Sequence, residues 1–119
     1  MTIVTHQAGN KRIAEIISET ILMNNAEEAL QLIVDLTYQD YDLIIIHEKN
    51  ITPEFFDLKT GIAGEILQKF SNYRAHLTIV GEFTKYPGKS IRDFIYESNK
   101  GRHINFLESL DVALERAAR

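Results

Sequence analysis

The stretches 2–8 and 11–17 interleave apolar and polar side chains, with Ile3, Ile13, Ile16 and Ile17 supplying β-branched bulk. Gly9-Asn10 separates them. Both residues tolerate positive φ, so the pattern predicts two strands joined by a two-residue hairpin turn. Residues 18–23 follow neither period. Over 26–39, Ala26, Ala29, Leu30, Ile33 and Thr37 recur at helical spacing, while Glu27, Glu28, Gln31 and Asp35 face outward. Asn24 or Asn25 can cap this helix, with Glu28 in capping-box position three residues after Asn25. The run Tyr41-Asp42-Leu43-Ile44-Ile45-Ile46 then reads as a central strand covered on both faces.

Thr52-Pro53-Glu54 has the form of an N-cap with proline in the first turn, which predicts a short helical segment. A longer helix over 59–73 carries Ile62, Ala63, Ile66, Leu67, Phe70 and Tyr73 on one face. Each fully buried member of that stripe contributes roughly 1.5–3 kcal/mol. Gly61 and Gly64 should let its first turns approach a neighbouring element closely, at some cost in helix propensity. Leu77-Thr78-Ile79-Val80 is a second buried strand ending at Gly81. Ser90, with Asp93 in capping-box position, opens a helix over 90–100 that Gly101 stops. Residues 103–107 form a short last strand, and Ser109 caps a helix bearing Leu110, Ala113, Leu114 and Ala117 on one side.

Strands joined by helical crossovers are parallel, with right-handed connections. The expected fold is therefore α/β: a single mixed, mostly parallel sheet of about five strands, an N-terminal antiparallel hairpin and about four helices. A length of 119 residues suits one domain spanning 1–119.

Composition changes this picture mainly by exclusion. There is no cysteine, which removes disulfides, thiolate metal sites and thiol nucleophiles and fits a reducing cytoplasm. A net charge of −4 argues against nucleic acid as a partner, although Lys85, Lys89 and Arg92 form a local basic patch. No apolar run approaches a membrane span, and the first residues lack the pattern of a signal peptide. The expected location is cytoplasmic.

In an open α/β sheet, ligands bind beyond the carboxyl ends of the parallel strands. Those ends carry His47-Glu48 and Gly81-Glu82-Phe83, and the facing helix starts hold Thr60-Gly61 and Lys89-Ser90, with Lys85 between. The candidate ligand- or anion-binding set is thus His47, Glu48, Glu82, Lys85, Lys89 and Ser90, with Thr60 on the same rim. His47 and Glu48 suggest an acid–base pair, set against the plainer reading of two solvated residues closing a strand. As neighbours on a strand they point to opposite faces, and no second histidine sits at helical spacing, so no metal and no cofactor is expected. His6, His76 and His103 read as surface residues.

Pro87-Gly88-Lys89-Ser90 resembles the end of a phosphate-binding loop, but the first glycine of that motif would fall on Phe83. A plainly capped helix is the better reading. No nucleophile elbow or dinucleotide fingerprint is present; Gly61-Ile62-Ala63-Gly64 is only a fragment of one. Phe55-Phe56 and Tyr86 fill the core beneath the loops or form a patch for a partner, the first being favoured.

Two blocks carry a family resemblance. Phe55-Phe56-Asp57-Leu58-Lys59-Thr60-Gly61-Ile62-Ala63-Gly64, continuing to Asn72-Tyr73-Arg74, and Ser90-Ile91-Arg92-Asp93-Phe94-Ile95-Tyr96-Glu97-Ser98-Asn99-Lys100-Gly101 look like the signature of a mainly bacterial family, domain of unknown function 4180. That resemblance implies a small stand-alone bacterial protein and transfers no activity. A looser one is to STAS domains, the anti-sigma-factor antagonists, whose order of elements is similar. Their phosphoacceptor loop has Asp, then Ser or Thr, then Gly opening a helix. Asp57-Leu58-Lys59-Thr60-Gly61 is similar, with one extra residue and Lys59 before the threonine, and it puts Thr60 at the acceptor position. The favoured reading is a non-enzymatic regulatory or interaction module with a protein partner or a second copy of itself. The rival is a small enzyme or anion- and metabolite-binding protein with its site on the strand-end rim.

Overall fold

The N-terminal hairpin forms as its turn requires. β1 (Thr2–Ala8) and β2 (Lys11–Ile17) pair antiparallel without interruption, from Thr2 opposite Ile17 to Ala8 opposite Lys11. Gly9 makes the turn at φ 62°, a conformation that a Cβ disfavours. The computed structural model describes residues 1–119, and its single sheet runs β1-β2-β3-β4-β5. β3 (Leu43–His47), β4 (Leu77–Val80) and β5 (Ile104–Leu107) each add parallel to the strand before, with Ile44 opposite Leu77 and Leu77 opposite Ile104.

This strand order decides where the helices go. Every crossover steps the same way across the sheet, so right-handed connections put all three crossover helices on one face. These are α1 (Ala26–Tyr38), α2 (Ile62–Asn72) and α3 (Lys89–Lys100). They bury the main core against Ala14, Ile16, Ile44, Ile46, Leu77, Ile79, Ile104 and Phe106. The fully buried Phe55, Ile66 and Phe70 lie in that core, each contributing roughly 1.5–3 kcal/mol. The opposite face has one helix, α4 (Leu110–Ala117), whose Ala113 and Ala117 close a smaller core over Ala8, Ile13, Leu43, Ile45 and Val80. No helix is long and apolar enough to cross a membrane.

Several local expectations are corrected. In α1 the buried stripe is Ala29, Leu32, Ile33 and Leu36, while Thr37 is exposed. The helix turns its longer aliphatic residues inward in preference to the threonine. Asn25 is its cap, accepting from the Glu28 amide at 2.9 Å, and Glu28 reaches back to Asn24. The helix expected over 59–73 is divided. A 3-10 turn at Leu58–Thr60 precedes Gly61, whose left-handed backbone (φ 78°) breaks the spiral before α2 begins.

Gly64 is exposed, with open space where a Cβ would stand, so it serves no close approach. Tyr73 is also exposed. The helix expected from Ser90 starts one residue earlier and has no side-chain cap, with Gly88 at φ 106° making the entry. Thr52 likewise caps nothing, though Pro53–Phe56 does form a 3-10 turn. Ser109 caps α4 as expected, accepting from Val112 N at 3.1 Å.

Candidate functional site

The half of the sheet that α4 leaves open holds a polar cluster. Glu15 lies mid-strand on β2 between β1 and β3, on the same face as Ile13 and Ile17. His6 on β1 and His47 on β3 share that face, since His6 opposes Ile13 and Glu15 opposes Ile45. Both histidines are diagonal neighbours of the glutamate, one on each side. His6 Nε2 donates to Glu15 Oε1 at 2.8 Å, and His47 Nε2 donates to Oε2 at 2.7 Å. The Glu15 side chain is buried, whereas the two imidazoles are partly open to solvent.

Charge and tautomer follow from this arrangement. Burial pushes the Glu15 carboxyl up, but hydrogen bonds from both histidines, and their charge when protonated, outweigh it and hold the carboxyl below its ordinary value. An ionised carboxylate only accepts, so each Nε2 carries a proton and, in the neutral rings, each Nδ1 presents a lone pair. Neither Nδ1 is bonded within the protein. The group therefore offers two oriented imidazoles tied to one carboxylate, a set suited to moving protons. All three side chains are committed to one another, and no group of three or more histidine or acidic residues has metal-ligating geometry.

The strand-end rim is built around Glu48. Leaving β3, residue 48 faces away from His47, and its carboxylate accepts from Lys85 Nζ at 2.9 Å and from the Tyr86 hydroxyl. Burial and the adjacent Glu48 charge push the Tyr86 phenol up, so it remains a donor. Tyr86 stacks on Phe56 at 4.5 Å, and Phe55 and Phe56 are buried, which closes the loops over the core. Gly81 makes room for the assembly: a Cβ there would stand 2.5 Å from Glu48 Oε1 and 2.6 Å from its Cβ. The rim thus brings Glu48 and Lys85 together, with Tyr86 added.

It does not gather the remaining candidates. His47 turns to Glu15 on the other face and makes no pair with Glu48. Glu82 is exposed, Lys89 pairs with Asp93 on its own helix at 2.6 Å, and Ser90 is exposed at the head of α3. Thr60 is exposed before α2. Its hydroxyl lies 2.8 Å from Glu54 O and 2.9 Å from Asp57 O, and it accepts from Ile62 N at 3.2 Å.

His6, Glu15 and Tyr86 escaped the sequence reading as site residues. The signal for the first two was present: a two-residue turn at Gly9-Asn10 fixes the hairpin register and sets His6 diagonal to Glu15. His6 is accordingly a bonded, partly buried residue and not a plain surface one. His76 is exposed, and His103 is half-buried against it with the rings 5.4 Å apart.

A family model described as Domain of unknown function (DUF4180) matches residues 8–117. No curated protein and no solved structure matches the chain.

Proposed function

The chain belongs to the domain of unknown function DUF4180 family, and from that premise we propose that it is a small, non-enzymatic regulatory or protein-interaction module of STAS-like architecture. It takes an extended segment of a partner protein along the free edge of β1. One observation carries this reading. β1 is an edge strand of seven residues with an unbroken register, no lysine, arginine or acidic residue and no proline. Edge strands that stay solitary are usually short, bulged, charged or interrupted by proline, because their unpaired main-chain groups otherwise recruit another strand. Main-chain bonds would supply affinity, and side chains on the open face would supply selectivity. Val4 and Ile17 stand there at 38% and 39% exposure, beside the His6–Glu15–His47 cluster.

Thr60 is the regulatory input in this reading. A phosphate on it would add about −1.5 to −2 charge at an exposed turn. The order of elements, similar to that of STAS domains, supports the STAS-like part of this reading.

Val4→Lys places a charge on the β1 edge without touching the core, and it tests the proposal. Purified protein is followed by sedimentation, to detect a second copy, and by affinity capture from the native host. A protein captured by the wild type and lost with the variant is the expected result. Equal capture by both would remove the β1 edge from the interface.

The His6–Glu15–His47 cluster favours a second reading, a small metabolite-binding protein or enzyme working by proton transfer. A metabolite panel that shifts the melting temperature of the wild type but not of a His6→Gln, His47→Gln variant would support it. A panel giving no shift would sink it.

A further inference from the structure

The end of the sheet opposite the strand-end rim carries a separate feature. At the amino-terminal ends of the parallel strands, beneath the C-terminal half of α4, lies a cleft of about 340 Å³. Lys11, Arg102 and Arg116 line it, together with His76 and a single carboxylate, Asp42. In a chain of net charge −4, this concentrates positive charge on one small surface. None of the three cations belongs to an ion pair. The bonds of the two arginines run to neutral main-chain carbonyls: Arg116 donates to Asn99 O and Gly101 O at 2.7 Å, and Arg102 donates to Arg116 O at 2.9 Å. Such bonds fix the guanidinium groups in place and leave their charge uncompensated. Asp42 accepts from the Arg12 amide at 2.8 Å.

The floor of the cleft is polar as well. Thr78 and Asn105 are buried neighbours on β4 and β5. The Asn105 amide donates to Gly101 O at 2.9 Å. The Thr78 side chain bonds to nothing in the protein, and the buried Nε of Arg116 also lacks a partner. Above them α4 presents Ala113 and Ala117, whose small side chains leave the space open.

We propose that this cleft is a binding site for a small hydroxylated phosphate ester, of the sugar- or polyol-phosphate class. Lys11 and Arg102 at the mouth would take the phosphate, since cations outside any ion pair have their charge free for a dianion. Thr78, Asn105 and Asp42 would pair with hydroxyl groups. A volume of about 340 Å³ exceeds what a bare phosphate fills and reaches the lower end of small-molecule sites. The few apolar lining residues, Leu43, Ala113 and Ala117, offer no slot for a large aromatic group.

Arg116 braces α4 against α3, so replacing it could unfold the site. The test uses Lys11→Gln and Arg102→Gln, singly and together, with folding checked by circular dichroism. Calorimetric titration of the full chain at low salt uses glycerol 3-phosphate and glucose 6-phosphate, with glucose, inorganic phosphate and citrate as comparison arms. The expected result is saturable binding of an ester at millimolar concentration or tighter, weakened about tenfold or more by the double substitution and by added salt. Ligand-induced amide shifts should map to Thr78, Asn105 and Ala113. The proposal is overturned by three outcomes: no saturation with either ester, equal binding by the folded double variant, or binding of inorganic phosphate or citrate as tight as that of the esters. Because the cleft shares no residue with β1 or with the His6–Glu15–His47 cluster, its failure would leave those readings standing.

Discussion

Glu15 and His47 are 32 positions apart in the chain, yet the carboxylate and the imidazole meet at 2.7 Å across β2 and β3. Parallel pairing of Glu15 with Ile45 creates this contact, because His47 is two residues further along the same face. The antiparallel hairpin brings His6 to the second carboxylate oxygen from the other side. A buried acid is costly unless its lone pairs are met, and this one is met from both flanks. The cluster therefore holds the three strands in register as well as presenting two imidazoles to solvent.

The first prediction concerns acid stability. Because the Glu15 carboxyl is held below its ordinary value near 4.5, its ionisation favours the folded state. That contribution is complete above the ordinary value and disappears as pH falls through the lower, folded-state one. Glu15→Gln should cost about 1.5–3 kcal/mol at neutral pH, the range for hydrogen bonds to a charged group. It should also flatten the acid limb of the stability profile. Urea denaturation at a series of pH values checks both; parallel profiles for the two proteins would show that Glu15 is not the group responsible.

Gly81 and Glu48 should be coupled. A methyl at position 81 enters the space of the Glu48 side chain, including its Cβ, so the carboxylate must leave Lys85 and Tyr86. Gly81→Ala should destabilise by about 1–3 kcal/mol through overpacking. In the background of Glu48→Gly, which also removes the Cβ, the same change should cost much less. A double-mutant cycle measured by chemical denaturation reads the coupling directly. Additive effects would mean that the loop moves aside and the contact is not what excludes a side chain there.

The element order and the parallel sheet were legible because the apolar runs Leu43–Ile46 and Leu77–Val80 are short, continuous and separated by helical periods. A two-residue glycine turn likewise predicts the hairpin to the residue. The sites were less legible. His47 and Glu48 are adjacent, but strand alternation sends them to opposite faces, and the partner of His47 comes from a residue 32 positions away on β2. Lys89 and Ser90 sit on a helix whose entry is made by backbone conformation at Gly88, a feature that residue types alone do not locate. The break at Gly61 is of the same kind, since it is made by a left-handed backbone conformation.

Thr60 ties the 3-10 turn to α2 through its hydroxyl, bonding to the carbonyls of Glu54 and Asp57 and accepting from Ile62 N. Thr60→Ala should cost about 1 kcal/mol, as the loss of a capping side chain does. Thr60→Ser keeps the hydroxyl and should restore most of it. A phosphate on Thr60 would occupy the position of that bonded proton and stand near Asp57 and Glu54, so it should loosen the turn. Hydrogen exchange over residues 53–62, compared between wild type and a phosphorylated sample, measures this. Unchanged protection would show that the turn does not respond to the modification.

The last prediction concerns a residue that holds an otherwise irregular segment in place. Residues 18–22 form neither helix nor strand, and Asn50 bonds to their main chain. Its side-chain amide donates to Ser18 O and Thr20 O, both at 2.8 Å, and its own carbonyl accepts from Leu22 N at 2.7 Å. Asn50 is fully buried, and its Oδ1 has no partner. Asn50→Ala would strand two carbonyls and should cost about 2–3 kcal/mol. Asn50→Asp is nearly isosteric and should be worse. Its carboxylate would have no proton to give those carbonyls when ionised, and it would be a buried charge without a partner. Below the range in which that carboxyl ionises, the aspartate variant should recover part of the loss, because a protonated acid donates one bond. Thermal melts of both variants at neutral and acid pH give the ranking. An aspartate variant as stable as wild type at neutral pH would mean that the amide bonds to Ser18 and Thr20 do not hold this segment.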